Sequence, residues 1–449
     1  MVKRRSSWRS TMAFYLLSVG SALGLGNLWR LPFVMGENGG GAFFLFYLLF
    51  AFLIGLPLLI AELMLGQKLG ESALKATLDI SKKVERPLFV FGGLSVLLST
   101  IVLSYYSVIS GWVLHFLARF VIDVFVTDPT VFSFSVLQSH PWLQILLTSV
   151  HLLFVILIVS IGVQEGLEKW IRTIVPAFFL LVAVLLWKSL SQGDNGEIFR
   201  FLFYPDFSKV TLETMSRALA HVFFTMSVGF GLMVSFGSFL KSDDHIPTLG
   251  FRIAMIDVFV SIVALLFVFP VAFQATQSVQ SDPILLFNVI PQYFHSLGGG
   301  GAFLGLIFFL CLYLASLNAS LALTEALISN LQSLKPKMSR NISVWSCSSV
   351  ILLLTIFWVL TPGIGLHSGG PRVLEVLDNL AVNWLLPIVA LGLLITFNYA
   401  VSDKEKSELF VDRNKFISVI MESHWFFVIR WLAPIMIGLA LFLQLLGFF

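Results

Sequence analysis

Long apolar stretches separated by short polar ones set the organisation of this chain. Eleven stretches are rich in Leu, Val, Ile and Phe: roughly 11–35, 42–67, 88–120, 141–162, 168–190, 213–240, 249–275, 299–332, 342–361, 373–400 and 424–447. Each approaches or exceeds the ~20 residues a helix needs to cross a hydrocarbon layer. None shows the period-two alternation of a barrel strand, so the pattern predicts eleven transmembrane helices. The first stretch is too long for a secretory signal, runs on into Arg30 and Pro32, and is not followed by a small-residue cleavage site. The longest polar interruptions lie at about 191–212, 276–298 and 401–423, which leaves no room for a separate soluble domain. Pro283, Pro291 and the glycines at 298–301 make 276–298 read as a re-entrant or capping loop.

Composition narrows the class further. The 449 residues are 57% hydrophobic and 12% charged, with 45 Phe, and the mean hydropathy is +0.92. A soluble domain carries about 25% charged residues, so half of that cannot cover a soluble surface. Two cysteines, both inside predicted spans, exclude a disulfide scaffold and read as small core residues. The net charge of +3 is spread in short basic clusters, which argues against a nucleic-acid partner and for membrane topology. With the N-terminus inside, 20 Lys and Arg fall on cytoplasmic segments and 6 on external ones, so the positive-inside rule puts the C-terminus outside.

Two of the predicted spans are interrupted in the middle. The first contains Gly20-Ser21-Ala22-Leu23-Gly24-Leu25-Gly26-Asn27, and the sixth contains Thr225-Met226-Ser227-Val228-Gly229-Phe230-Gly231. Each glycine costs a helix about 1 kcal/mol. Backbone that leaves the helix inside a membrane is tolerated only where it lines a cavity. Both interruptions fall in the first helix of a five-helix block, spans 1–5 and spans 6–10. Interrupted spans at matching positions in two halves mark the substrate site of an inverted-repeat transporter. The Gly20/Gly24/Gly26 spacing is no dinucleotide fingerprint, because no strand precedes it.

Ser21-Ala22-Leu23-Gly24-Leu25-Gly26-Asn27-Leu28-Trp29-Arg30-Leu31-Pro32-Phe33, then Glu37-Asn38-Gly39-Gly40-Gly41-Ala42-Phe43, closely resembles the signature of the neurotransmitter:sodium symporter family. Tyr105-Tyr106, Gly111-Trp112, the run from Phe223 to Gly231 and Leu377-Asp378-Asn379 are similar to further motifs of that family, in the same order on the same spans. The resemblance runs from about Trp8 to the tenth span and is to the eleven-span bacterial branch. It implies an all-α polytopic membrane protein of the LeuT type. A single transmembrane domain spans 1–449, with inverted repeats at about 11–190 and 213–400 and an extra helix at about 424–447. It also implies a bacterial inner membrane, with the lipid bilayer as surroundings.

The resemblance assigns roles residue by residue. At a broken helix the freed amides and the positive dipole end suit an anion. The amides near Leu25 and Gly26, with the Tyr106 hydroxyl, are expected on a substrate carboxylate. Carbonyls of Ala22, Phe224 and Thr225, with Ser227, are expected on its α-ammonium group, and Ser21 is expected in the same substrate site. Amine-transporting relatives carry Asp where Gly24 stands, so glycine leaves room for a substrate that brings its own carboxylate. Val102, Phe224, Phe230, Ala319 and Leu323 would line a side-chain pocket that is apolar throughout. Sodium is a hard cation and takes oxygen ligands. A first sodium site is implied at Ala22, Asn27, Thr225 and Asp257, together with the substrate carboxylate, which would couple ion to substrate. Asp257 is an intramembrane carboxylate, and such groups are functional by default.

The sequence also departs from the family. A second sodium site would use Gly20, Leu23, Ala315 and Asn318, but the family's second side-chain oxygen on that span is absent at Ala319. Chloride-dependent relatives bind the anion at positions that here are Tyr47, His221, Thr225, Asp257 and Ser261. The fixed charge of Asp257 predicts that chloride is not required, and His221 is expected to face Asp257, a pair capable of proton coupling. Arg30 and Asp378 match the outer gate. Arg5 and Trp8 match the inner one, whose acidic partner is replaced by Ser333. The expected function is a cation-coupled symporter, with at least one sodium ion, importing a neutral hydrophobic amino acid by alternating access. The alternative is a membrane receptor that binds such an amino acid without transporting it. An enzyme is not expected, because there is no His-Glu-x-x-His run and no nucleophile beside His221.

Overall fold

The computed structural model describes residues 24, 26–126, 133–191, 196–276, 285–360, 372–410 and 422–446. Among the described residues the secondary structure is helical, without a strand. A π-helical turn, Gly26–Arg30, leads into α1 (Leu31–Glu37). There follow α2 (Gly41–Leu69), the short α3 (Ala73–Val84), α4 (Phe89–Asp123), α5 (Pro141–Ser160) and α6 (Glu165–Ser191). The second half comprises α7 (Leu212–Thr225), α8 (Leu232–Gly237), α9 (Ile246–Thr276), α10 (Leu285–Ser296), α11 (Gly301–Leu334) and α12 (Arg340–Leu360). It closes with α13 (Val373–Ala400), α14 (Asp403–Glu408) and α15 (Glu422–Leu445).

Nine of these helices are long and apolar enough to cross a membrane, against the eleven expected. The two that differ are the interrupted ones. Of the first span, residues 11–23 and 25 lie outside the described residues, and the rest is the π turn and α1. The sixth is divided into α7 and α8, each too short to cross alone. The expected capping loop at 276–298 contains the helix α10, which packs against α4, α9 and α11.

The core is built around α11. Of its apolar stretch 83% is buried, against 22% for α15, which packs on α13 at the periphery. α11 packs on α4, α5, α6 and α12, while α7 and α8 run along the N-terminal and C-terminal halves of α2. Lipid-like surroundings offer no hydrophobic drive between helices, so close approach depends on small residues. A Cβ on Gly66 of α2 would lie 2.0 Å from the Val234 carbonyl oxygen, and one on Gly237 of α8 2.4 Å from that of Leu63. Those two glycines let the backbones of α2 and α8 touch.

Proline shapes the helices in a regular way. Four of the five π turns among the described residues, Gly26–Arg30, Ala51–Gly55, Asn379–Leu385 and Val428–Leu432, end two residues before a proline (Pro32, Pro57, Pro387 and Pro434); the fifth, Val163–Leu167, does not. A proline ring inside a helix clashes with the carbonyl four residues back. Widening the preceding turn to π geometry relieves that clash without ending the helix.

Candidate functional site

The break between α7 and α8 is specified by backbone handedness. Ser227, Gly229 and Gly231 have φ of 56°, 87° and 68°, the left-handed region where glycine carries no penalty. Space excludes a side chain as well: a Cβ on Gly229 would lie 2.7 Å from the Leu386 carbonyl oxygen. The freed polar groups find partners. The Gly229 amide donates to Glu62 Oε1 at 2.7 Å, and the Phe230 carbonyl accepts from the Ser99 hydroxyl at 3.2 Å. Glu62 is a buried carboxylate on α2 that caps the break. Its only signal in the sequence is an acidic residue inside the apolar run 42–67, and the motifs named above do not include it.

A small cavity opens beside Gly24, Gly26 and the break between α7 and α8. Its walls include Gly26, Val102, Tyr106, Phe224, Thr225, Ser227, Phe230, Ala319 and Leu323, all expected for a substrate, and also Gly24 and Leu232. Leu232 was not foreseen; it is the first residue of α8, where the interrupted run ends. Phe224 and Phe230 meet edge to face at 5.8 Å and form an aromatic wall. A Cβ on Gly26 would lie 3.0 Å from Phe224 Cε1, a tight contact that the Phe224 ring would have to yield to. Gly20, Ser21, Ala22, Leu23 and Leu25, together with Arg5 and Trp8, lie outside the described residues.

Next to the cavity a polar cluster is sealed from the surface. Asp257 on α9 is fully buried; its Oδ1 accepts from Asn27 Nδ2 at 3.0 Å and its Oδ2 from the Tyr47 hydroxyl at 2.9 Å. The Tyr47 oxygen also lies 2.9 Å from Ser261 Oγ and 3.5 Å from Thr225 Oγ1. Asn27, Thr225 and Asp257 therefore come together around the Tyr47 hydroxyl. Asn318, on α11, is buried, and neither its amide oxygen nor its amide nitrogen has a hydrogen-bond partner. Among the described residues no group of three or more His, Cys, Asp and Glu converges.

Arg30 packs on Phe224, one of the cavity walls. Its Nε donates to Asp378 at 3.1 Å, and its guanidinium carbon sits 5.5 Å over the Phe224 ring. The Tyr105 hydroxyl donates to Asp378 Oδ1 at 3.2 Å. The expected pairing of His221 with Asp257 is not what the geometry gives. His221 Nδ1 lies 2.9 Å from Arg30 Nη1, while the Asp257 carboxylate is taken by Asn27 and Tyr47. The physical reason is the position of Tyr47, whose ring packs against His221 at 5.6 Å while its hydroxyl bonds Asp257.

The family model described as the sodium:neurotransmitter symporter family matches residues 5–126 and 134–448. An uncharacterized sodium-dependent transporter of Bacillus subtilis, YhdH, is 30% identical over 98% of this chain and 97% of its own length. The sodium-dependent neutral amino acid transporter B(0)AT2 of Bos taurus is 28% identical over 60% of this chain and 40% of its own length. Among solved structures, the crystal structure of MhsT in complex with L-phenylalanine superposes with a TM-score of 0.86 at 28% identity, covering 98% of this chain and 99% of that one.

Proposed function

The chain belongs to the sodium:neurotransmitter symporter family, and from that premise we propose that it is a sodium-coupled importer of a neutral, hydrophobic amino acid. One observation carries the reading. A cavity with glycines 24 and 26 and Tyr106 at its polar side, and Val102, Phe224, Phe230, Ala319 and Leu323 as apolar walls, lies against a sealed cluster of Asn27, Thr225 and Asp257. A zwitterion fits such a wall, its carboxylate on the amides of the first break and its side chain among the apolar residues. Absence of an acidic residue at position 24 disfavours decarboxylated amines. That B(0)AT2 is named a neutral amino acid transporter, and that MhsT was solved with L-phenylalanine, supports the same class.

In this reading sodium binds at Asn27, Thr225, Asp257 and the carbonyl of Ala22, and shares the substrate carboxylate. Each ligand then completes the other's site, which is the source of coupling. Chloride is not required, since Asp257 supplies the negative charge. The protein sits in a bacterial inner membrane with its N-terminus in the cytoplasm. Uptake of radiolabelled L-phenylalanine and L-leucine into proteoliposomes, with sodium or potassium outside, tests the proposal. Sodium-driven accumulation that tryptamine and phenethylamine do not inhibit is the expected result. Equal inhibition by the amines overturns the carboxylate assignment, and binding without accumulation identifies a receptor instead.

A further inference from the structure

We infer that His221 is a positioning residue of the outer gate: its imidazole holds the Arg30 guanidinium where it can pair with Asp378. The inference rests on reading Arg30 and Asp378 as that gate. Arg30 is 5% exposed, so its donors cannot rely on water. A guanidinium has five N–H donors and no acceptor, and each donor left unpaired in a buried site is costly. Asp378 takes the Nε side, at 3.1 and 3.4 Å from its two oxygens. His221 Nδ1, 2.9 Å from Nη1, takes another. Because arginine can only donate, Nδ1 must accept, which fixes the imidazole as the neutral tautomer protonated at Nε2.

Three further features make His221 more than a passive neighbour. Its ring has no other hydrogen bond, since the buried Nε2 is without a partner. It is held in place from α2, by the Tyr47 ring at 5.6 Å and the Phe43 ring at 6.3 Å. And the three residues belong to different parts of the fold: His221 is on α7, Arg30 follows the first break, and Asp378 is on α13, 18% exposed at its side chain. The imidazole is therefore a fixed acceptor that sets the angle at which Arg30 reaches across to α13. A second carboxylate there would overcompensate the single positive charge; a neutral acceptor aims the arginine without competing with Asp378.

The test reads gate closure directly. Spin labels placed at Leu212 and Val376, 56% and 64% exposed, report the distance between α7 and α13 in a Cys311→Ala/Cys347→Ala background. The wild-type residue at 221 should give mainly the short, closed distance in sodium. His221→Leu, which cannot accept, should shift the closed-to-open ratio toward open on the order of tenfold or more, the scale of a lost hydrogen bond to a charged group. His221→Gln, whose amide oxygen can reach the same donor, should restore closure. His221→Asn, too short to reach, should not, and this pair decides the matter if the leucine variant fails to fold. Closure unchanged in both Leu and Asn variants, or lost equally in Gln and Asn, overturns the inference. Because the distances are read without any amino acid present, failure of L-phenylalanine uptake with these distances as expected counts against the substrate reading and not against this one.

Discussion

At the scale of single residues, the most direct test is at Tyr106. It lines the cavity from α4, as does Gly26 from the first interrupted span. Tyr106→Phe removes one oxygen and keeps the ring, so apolar packing is preserved. If the hydroxyl donates to a substrate carboxylate, the loss is about 1–3 kcal/mol, the value of a hydrogen bond to a charged group. Equilibrium binding of L-phenylalanine should weaken accordingly, and unchanged affinity would remove Tyr106 from the site. Asp257→Ala should abolish sodium-dependent binding while the protein remains folded, because it removes the one carboxylate that gathers Asn27 and Tyr47. Persistence of sodium dependence in that variant sinks the cation assignment. These residues were legible in the sequence because motif order places them on known faces of known spans. The partner of His221 was not. Spacing along α7 puts His221 one turn before Thr225, but which neighbouring helix its ring meets depends on Tyr47 and Phe43, far away in sequence.

At the scale of elements, the sequence marks breaks better than it marks what satisfies them. The run from Thr225 to Gly231 announces an interruption, yet the cap, Glu62, comes from another helix. Gly229→Ala should be strongly destabilising, since it places a Cβ 2.7 Å from a backbone oxygen at a φ of 87°. A cost of at least 1–3 kcal/mol is expected from the strained conformation alone, visible as a lower midpoint of thermal unfolding in detergent. A second element-level device lies on the polar side of the bundle. α14 begins with a capping box in which the Ser402 hydroxyl and the Glu405 carboxylate bond each other's backbone amides. Glu405 also pairs with Lys68 at the end of α2, at 2.5 Å. Lys68, and then the Ser402 hydroxyl and amide, hold the Glu405 carboxyl down at about 2. A depressed carboxylate stabilises the fold above its ordinary value of 4.5 and loses that contribution as pH falls toward 2. The melting difference between the wild type and Glu405→Gln should therefore be present at pH 7 and vanish between about 4.5 and 2. A difference that persists at pH 2 would show that the pair is not its cause. The effect is small, because both partners are partly solvated.

At the scale of the whole molecule, hydropathy alone gave the positions of nine helices to within a few residues, because membrane-spanning segments must satisfy their own backbone. It miscast the sixth span as one continuous crossing, since averaging over ~20 residues hides a six-residue break. The feature hidden from hydropathy is the one that makes the cavity. The same global view bears on ion coupling. A family pattern with two cation sites and an anion site distributes charge over several bound ions; this chain builds one negative charge, Asp257, into the protein and removes an oxygen at Ala319, which lies in the cavity wall beside the unpartnered amide of Asn318. Uptake is therefore expected to continue undiminished when chloride is replaced by gluconate. Asp257→Asn keeps an oxygen for sodium but removes the fixed charge, and it frees the Tyr47 hydroxyl, which now donates to that carboxylate, to turn with those of Ser261 and Thr225 toward an anion. That variant should transport in chloride and fall several-fold in gluconate. Ala319→Ser, by returning an oxygen near Asn318, should steepen the dependence of uptake on sodium concentration. Chloride dependence in the unmodified protein, or an Asp257→Asn variant indifferent to chloride, would mean that the charge balance of the site is struck elsewhere.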